Sequence, residues 1–279
     1  MRPILFHVGS VPIYSFGVLS SLAFIAAGWV MQLDFARKKE PRDLAWEIVA
    51  FGAVGGLFGA RFHQALHYWP EFVAAPMAFM TSPTGLIWYG GVFGGLLASA
   101  WPIRRARVRY ASALDTAALG LTVGLAIGRI GCHLSGDGDW GTPTTLPWGV
   151  AYPNGTVPWP HPPGVLVHPA ALYELLALIG IFVFLLRVRS RLTPGATFAI
   201  YLVLSATARF LVEFIRTNPA AFLGLTEAQW TSIALAAGAA LWLSRPAAHF
   251  KRTRPPHTQR YGTVAASAAL KTAIGGGST

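Results

Sequence analysis

Arg129 and Arg209 lie near the ends of stretches that are otherwise apolar, and the residues spaced around them suit phosphate chemistry. The planar, permanently charged guanidinium presents a fork of N–H donors that matches phosphate oxygens. Glu213 follows Arg209 by four residues, so a helix would place both on one face, where the carboxylate holds the guanidinium in position. Arg216 and Asn218 come directly after, at the end of the same apolar run. The string Gly128-Arg129-Ile130-Gly131-Cys132-His133-Leu134-Ser135-Gly136-Asp137-Gly138-Asp139-Trp140-Gly141 is dense in glycine and in polar groups. Asp137 and Asp139 fall short of a calcium loop, which needs more oxygen ligands and a distal acidic residue. No metal and no cofactor are expected. His133 is either a hydrogen-bonding group or a base.

These side chains need a scaffold, and composition says what kind. Of 279 residues, 53% are hydrophobic and 12% charged, about half the charged share of a soluble domain. Apolar windows fall at 14–33, 45–66, 86–103, 112–131, 171–186, 196–214 and 228–244, each near the length that crosses a bilayer. The expected fold is therefore all-α, a polytopic membrane protein with seven transmembrane helices, residues 1–244 forming one transmembrane domain. Residues 245–279 read as a basic, disordered cytoplasmic tail. Gly52, Gly55, Gly56 and Gly59 in the second window, and Gly120, Gly124 and Gly128 in the fourth, suit helices that pack closely within lipid.

The formal charge of +11 sits in short blocks between the apolar windows, which excludes a nucleic-acid stripe and supplies a topology signal. Arg37, Lys38, Lys39 and Arg42 follow the first window; Arg104, Arg105, Arg107 and Arg109 the third; Arg187, Arg189 and Arg191 the fifth. With the tail, about 17 positive charges lie on one side and about two on the other. The bias predicts an N-terminus outside and a C-terminus in the cytoplasm. Between the fourth and fifth spans, Gly131 to Pro169 lacks Lys and Arg but holds Trp140, Trp148 and Trp159 among many Gly and Pro. It is expected to form an outside-facing lid, about 132–169, at the membrane interface. Cys132 is the only cysteine, so no intrachain disulfide is possible.

Six ionisable residues fall in or at the ends of windows: Arg61, Asp115, Arg129, Glu174, Arg209 and Glu213. A charge at the bilayer centre costs about 2.5 kcal/mol or more, so these should face the bundle interior. Asp115 is expected to be structural, near Arg107 and Arg109. Arg129 and Arg209 are expected to meet an anionic lipid headgroup.

At this point the chain resembles the bacterial prolipoprotein diacylglyceryl transferases. Gly128-Arg129-Ile130-Gly131 matches the start of that family's signature. Trp88-Tyr89-Gly90-Gly91, Pro147-Trp148-Gly149-Val150-Ala151-Tyr152-Pro153, His168-Pro169-Ala170-Ala171-Leu172-Tyr173-Glu174 and Arg209-Phe210-Leu211-Val212-Glu213-Phe214-Ile215-Arg216 match further motifs in order. The resemblance implies transfer of the diacylglyceryl group from phosphatidylglycerol to the lipobox cysteine thiol of preprolipoproteins, at the bacterial inner membrane, with release of glycerol phosphate. It implies Arg129, Arg209 and Tyr89 as catalytic positions. For binding phosphatidylglycerol it implies Arg129, Arg209, Arg216, Glu213, Gly90, Gly91, His133, Ser135, Asp137, Asp139, Tyr173 and Glu174. The chain departs from the family where Tyr89 stands for a usual His, Cys132 and Ser135 for Asn, and Asp137 or Asp139 for Glu. A related lipid transferase with another acceptor, and a non-enzymatic transporter or lipid-binding protein, remain as alternatives. The residue that takes the thiol proton is not assigned.

Overall fold

The computed structural model describes residues 1–82 and 87–244, with Trp88 and Tyr89 described in backbone only. The tail at 245–279 lies outside the described residues. Each apolar window is a helix: α1 Ser15–Lys38, α2 Leu44–His67, α5 Trp88–Arg105, α6 Tyr110–Ser135, α7 Ala170–Val188, α8 Ala196–Glu213 and α9 Glu227–Leu243. Two short helices, α3 Trp69–Ala74 and α4 Pro76–Thr81, fill the connection after α2. A hairpin of β1 Ile4–Val8 and β2 Val11–Tyr14 precedes α1, so the fold is mostly helical and not purely so. Gly9 closes this hairpin at φ 60°, a conformation that costs glycine little.

Five helices, α1, α2, α6, α7 and α8, are long and apolar enough to cross a membrane. The chain is a polytopic membrane protein. Side chains turned outward from these helices include Phe58 at 68% and Leu176 at 66% exposure, which water would penalise and lipid tails accept. α9 has 17 residues, about 26 Å of helix at 1.5 Å per residue, slightly short of a hydrocarbon core about 30 Å thick.

Glycine sets the α2 to α5 contact. A Cβ at Gly59 would lie 2.2 Å from the Gly90 carbonyl oxygen, and one at Gly94 would lie 2.2 Å from that of Gly55. The two backbones therefore touch, which replaces the hydrophobic drive that lipid does not supply. Gly90 and Gly91 thus sit on α5 against α2, where Gly91 faces Gly56 and Ala60.

Polar anchors fix the opposite end of the bundle from Arg129 and Arg209. Asp34, one turn before the end of α1, is 1% exposed and pairs with Arg37 at 2.9 Å, Lys38 at 3.0 Å and Arg189 at 2.6 Å, while Thr116 donates to it at 2.8 Å. The basic connections after α1 and α7 thereby meet the start of α6. Asp115 is buried near the start of α6 and plays a structural part. It accepts the backbone N–H groups of Gly195 at 2.7 Å and Phe198 at 2.9 Å, satisfying the first turn of α8 from a neighbouring helix. Arg61 is buried in α2 and donates to Gln64 and to the carbonyls of Phe79 and Ser82, tying the α3–α4 segment back to the bundle.

Candidate functional site

The segment joining α6 to α7 has little regular structure but a core of its own: Trp140, Tyr152 and Val167 are buried, with Trp159 packed beside them. Trp140 and Trp159 turn inward, and Trp148 is the exposed one of the three. Short backbone bridges seat the segment on the helix ends. Gly141 N–H donates to the His168 carbonyl at 2.8 Å and Thr142 N–H to that of Ile215 at 2.7 Å. A Cβ at Gly141 would fall 2.6 Å from the Ile215 oxygen, so only glycine admits this approach. Side chains add a clamp. Trp148 donates to the Tyr173 hydroxyl at 2.8 Å, and that hydroxyl lies 3.1 Å from His168 Nδ1.

This seating brings together six charged residues from four parts of the chain. Arg129 on α6 holds Asp139 with Nη1 and Glu174 with Nη2, both at 2.5 Å. Arg209 on α8 holds Glu174 and Glu213, both at 2.9 Å. Arg216, just past α8, donates to the other Asp139 oxygen at 2.5 Å and lies 3.8 Å from Glu174 and 3.6 Å from Glu213. Glu174 on α7 is thus the hub, touched by three guanidinium groups. Glu213 is locked by Asn218 at 2.7 Å and by Thr226 at 2.8 Å, and Thr226 also forms the capping box of α9 with Gln229.

Three arginines and three carboxylates balance formally, yet they are unequally covered. Glu174, Glu213 and Arg216 have side chains 8%, 0% and 7% exposed, whereas Arg129 and Arg209 show 21% and 27%. Glu174 and Glu213 lie deeper than Arg129 and Arg209, while Asp139, at 27%, is as exposed as the two arginines. Arg216 adds buried Nε and Nη1 atoms without a hydrogen-bond partner of good geometry. An anionic oxygen arriving at this face meets oriented donors whose counter-charges are fixed behind them.

Asp139 is held below the usual carboxylate range: burial pushes it up, but the Arg216 hydrogen bond and the charges of Arg216, Arg129 and Arg209 outweigh burial. Asp137 moves the other way, raised first by burial and then by the neighbouring Asp139. Cys132, Asp137 and Asp139 offer ligand atoms within 4.8 Å of one another. Both Asp139 oxygens are taken by arginine, so Asp139 serves the ion-pair network and is not free to complete a cation cage with the other two. A cavity of about 470 Å³ opens beside it, lined by Pro3, Tyr14, Phe16, Gly17, Ser135, Asp137 and Thr156.

Of the positions expected from sequence, Arg129, Arg209, Arg216, Glu213, Glu174 and Asp139 converge directly. Ser135 and Asp137 line the adjoining cavity. His133 pairs instead with the Tyr152 hydroxyl at 3.0 Å, beneath the α6–α7 segment. Tyr173 neighbours Glu174 in sequence, but its hydroxyl serves the Trp148–His168 clamp. Gly90 and Gly91 serve the α2 to α5 contact, and the Tyr89 side chain lies outside the described residues. Sequence reasoning did not single out Trp148 or Thr226 for the site; each acts through contacts between segments separated in sequence.

The sequence model of the prolipoprotein diacylglyceryl transferases matches residues 3–244, nearly the whole described chain. The chain belongs to this family. Curated relatives carry the name phosphatidylglycerol–prolipoprotein diacylglyceryl transferase. One from Gloeobacter violaceus is 32% identical over 260 residues, covering 88% of this chain and 94% of its own length. One from Cupriavidus pinatubonensis is 30% identical over 277 residues, covering 91% and 95%. Another from Methylobacillus flagellatus is 29% identical over 266 residues, covering 86% and 94%. The ion-pair network of this transferase-family chain draws on three of the matched motifs, at the α6 end, the α7 start and the α8 end, and adds Asp139 from the segment after α6.

Proposed function

We propose that this chain transfers the diacylglyceryl group of phosphatidylglycerol to the lipobox cysteine thiol of preprolipoproteins. The observation that carries the reading is the arrangement of Arg129 and Arg209: both are partly exposed, and each is held by two carboxylates. That arrangement suits a lipid phosphate, which is bound in the ground state and gains charge as it becomes a leaving group. Arg216 supplies a third donor set behind them.

The thiolate attacks the glyceryl carbon bonded to the phosphate oxygen. The sulfur–carbon bond forms, the carbon–oxygen bond breaks, and glycerol phosphate departs with the electron pair. Arg129 and Arg209 meet the developing charge. Glu174, Glu213 and Asp139 orient the guanidiniums, so little reorganisation remains when the phosphate arrives.

In this account residues 1–244 form one transmembrane domain of seven spans, α5 and α9 included, in the bacterial inner membrane. The N-terminus and the α6–α7 lid face outward, and the tail at 245–279 lies in the cytoplasm; the asymmetry of Lys and Arg supports that orientation. The arginine face then lies at headgroup depth. Tyr173 serves the donor site indirectly, through the clamp that seats the lid.

The test is direct. Purified protein, phosphatidylglycerol and a lipobox peptide are expected to give a peptide heavier by one diacylglyceryl group, and Arg129→Ala or Arg209→Ala to give none while still inserting into membranes. An unmodified peptide from folded wild-type protein would overturn the proposal.

A further inference from the structure

We infer that Asp137 is the base that takes the proton from the acceptor thiol, an inference that rests on the transferase reading above. A thiol with a free pKa near 8.5 is largely protonated at neutral pH, and only its thiolate attacks carbon well. The reaction therefore needs a proton acceptor within reach of the sulfur.

Asp137 and Asp139 are two carboxylates one residue apart with opposite environments. Asp139 is committed: each of its oxygens meets a guanidinium at 2.5 Å, from Arg129 and from Arg216. Asp137 meets no arginine within salt-bridge distance among the described residues, and it lines the cavity of about 470 Å³ next to the arginine face. The cavity is walled by the hairpin and the start of α1 on one side and by the end of α6 and the following segment on the other. Its apolar walls, Pro3, Phe16 and Gly17, suit the small side chains that flank an acceptor cysteine better than they suit a phosphate.

The local backbone is built for this exposure. Gly136 at φ 60° and Gly138 at φ 95° bracket Asp137, and Gly136 packs so tightly on Gly155 that a Cβ would fall 2.7 Å from its Cα. The turn thereby sets one carboxylate toward the cavity and returns the next to the arginines. A sulfur also fits beside Asp137: the Cys132 Sγ and an Asp137 carboxylate oxygen lie within 4.8 Å of each other.

Environments that drive two neighbouring carboxylates apart mark an acid–base division of labour. Asp139 stays ionised and structural. Asp137, raised by burial and by Asp139, is a better proton acceptor than a surface carboxylate. The step balances: the acceptor S–H proton passes to an Asp137 oxygen, the sulfur electron pair forms the bond to the glyceryl carbon, and the phosphate oxygen leaves with the carbon–oxygen pair. Protonated Asp137 then returns its proton to water entering the cavity as product leaves.

The experiment compares wild type, Asp137→Asn and Asp137→Glu in phosphatidylglycerol with two lipobox peptides, one carrying cysteine and one selenocysteine. The selenol ionises at neutral pH without a base. Asp137→Asn is expected to lower kcat for the cysteine peptide by roughly 10²- to 10⁴-fold with little change in KM for the lipid. It is also expected to recover most of the rate with the selenocysteine peptide, while Asp137→Glu keeps partial activity with both.

The groups facing Asp137 are Arg129 and Cys132 from α6, Asp139 and Tyr152 from the segment after it, and Tyr14 from β2. Only Asp137 among them combines a raised carboxyl with a place on the cavity wall, so the acid limb of the wild-type rate profile is expected to vanish in Asp137→Asn. Equal loss with both peptides, or an Asp137→Asn enzyme as fast as wild type, would overturn the inference. Wild type inactive with both peptides would instead overturn the transferase reading on which it rests.

Discussion

Glu174→Gln is the most informative single change to the ion-pair network, because it keeps the side chain's shape and removes only its charge. Glu174 is 8% exposed and lies 2.5 Å from Arg129 and 2.9 Å from Arg209. Three carboxylates against three guanidiniums become two against three, and the excess positive charge is confined where water reaches only part of it. Breaking a buried pair this way costs about 3–5 kcal/mol. The 21% and 27% exposure of Arg129 and Arg209 places the expected loss at the lower end, about 3 kcal/mol. For a domain of this size that corresponds to about 6–12 °C in melting temperature. A phosphate bound between the two arginines replaces the missing charge. Thermal melting of the detergent-solubilised variant should therefore drop by that amount, and phosphatidylglycerol should restore more of it than phosphatidylcholine does. Wild type should show a smaller gain from phosphatidylglycerol. A variant that melts like wild type, or one that both lipids rescue equally, would refute the idea that these arginines form a site for a net-anionic headgroup balanced by Glu174.

Other expectations follow from the same contacts. Arg129→Lys cannot reach Asp139 and Glu174 with separate nitrogens of one rigid fork, so kcat/KM for diacylglyceryl transfer should fall by about 1.5–3 kcal/mol, roughly 10- to 150-fold. Asp115→Ala removes the acceptor for two N–H groups at the start of α8 and should cost about 1–3 kcal/mol in melting experiments. Gly94→Val places a side chain on the Gly55 carbonyl, 2.2 Å from the first added carbon, and should abolish recovery of folded protein from membranes. Asp139 is depressed in the folded protein, so its stabilising contribution is present above the ordinary carboxylate value of about 3.9 and is lost as pH falls through the lower folded value. The melting advantage of wild type over Asp139→Asn should accordingly be full at pH 7 and shrink below about pH 4.

Much of the scaffold is legible because lipid imposes a coarse rule: long apolar runs become helices. The window at 14–33 continues through Arg37 and Lys38 as α1, since their charged ends reach Asp34 while the backbone stays helical. The hairpin before α1 escapes notice because both faces of Ile4–Val8 are exposed, so its residues do not alternate. α3 and α4 are marked only by Pro70 at the second position of one and Pro76 at the first of the other, a weak signal in short helices.

At the site, the Arg209–Glu213 pair follows from helical spacing and is found at 2.9 Å. Glu174 as the hub does not follow, because its contacts join α6, α7 and α8 across more than 30 residues and no periodicity encodes them. Nor does the different fate of Asp137 and Asp139: both stand in one Gly-Asp-Gly-Asp string, and only the seating of that turn on Gly155 and Arg216 separates them.

The central claim is that the arginine face takes the phosphate of phosphatidylglycerol while the diacylglyceryl group passes to a thiol. It is tested most directly with phosphatidylglycerol carrying one isotope in the headgroup phosphate and another in the acyl chains, incubated with the purified protein and a lipobox peptide. The account predicts one labelled glycerol phosphate released for each acyl-labelled thioether peptide formed, with both products lost together in Arg129→Ala and Arg209→Ala. Phosphate label on the peptide, or glycerol phosphate released without peptide modification, would contradict it.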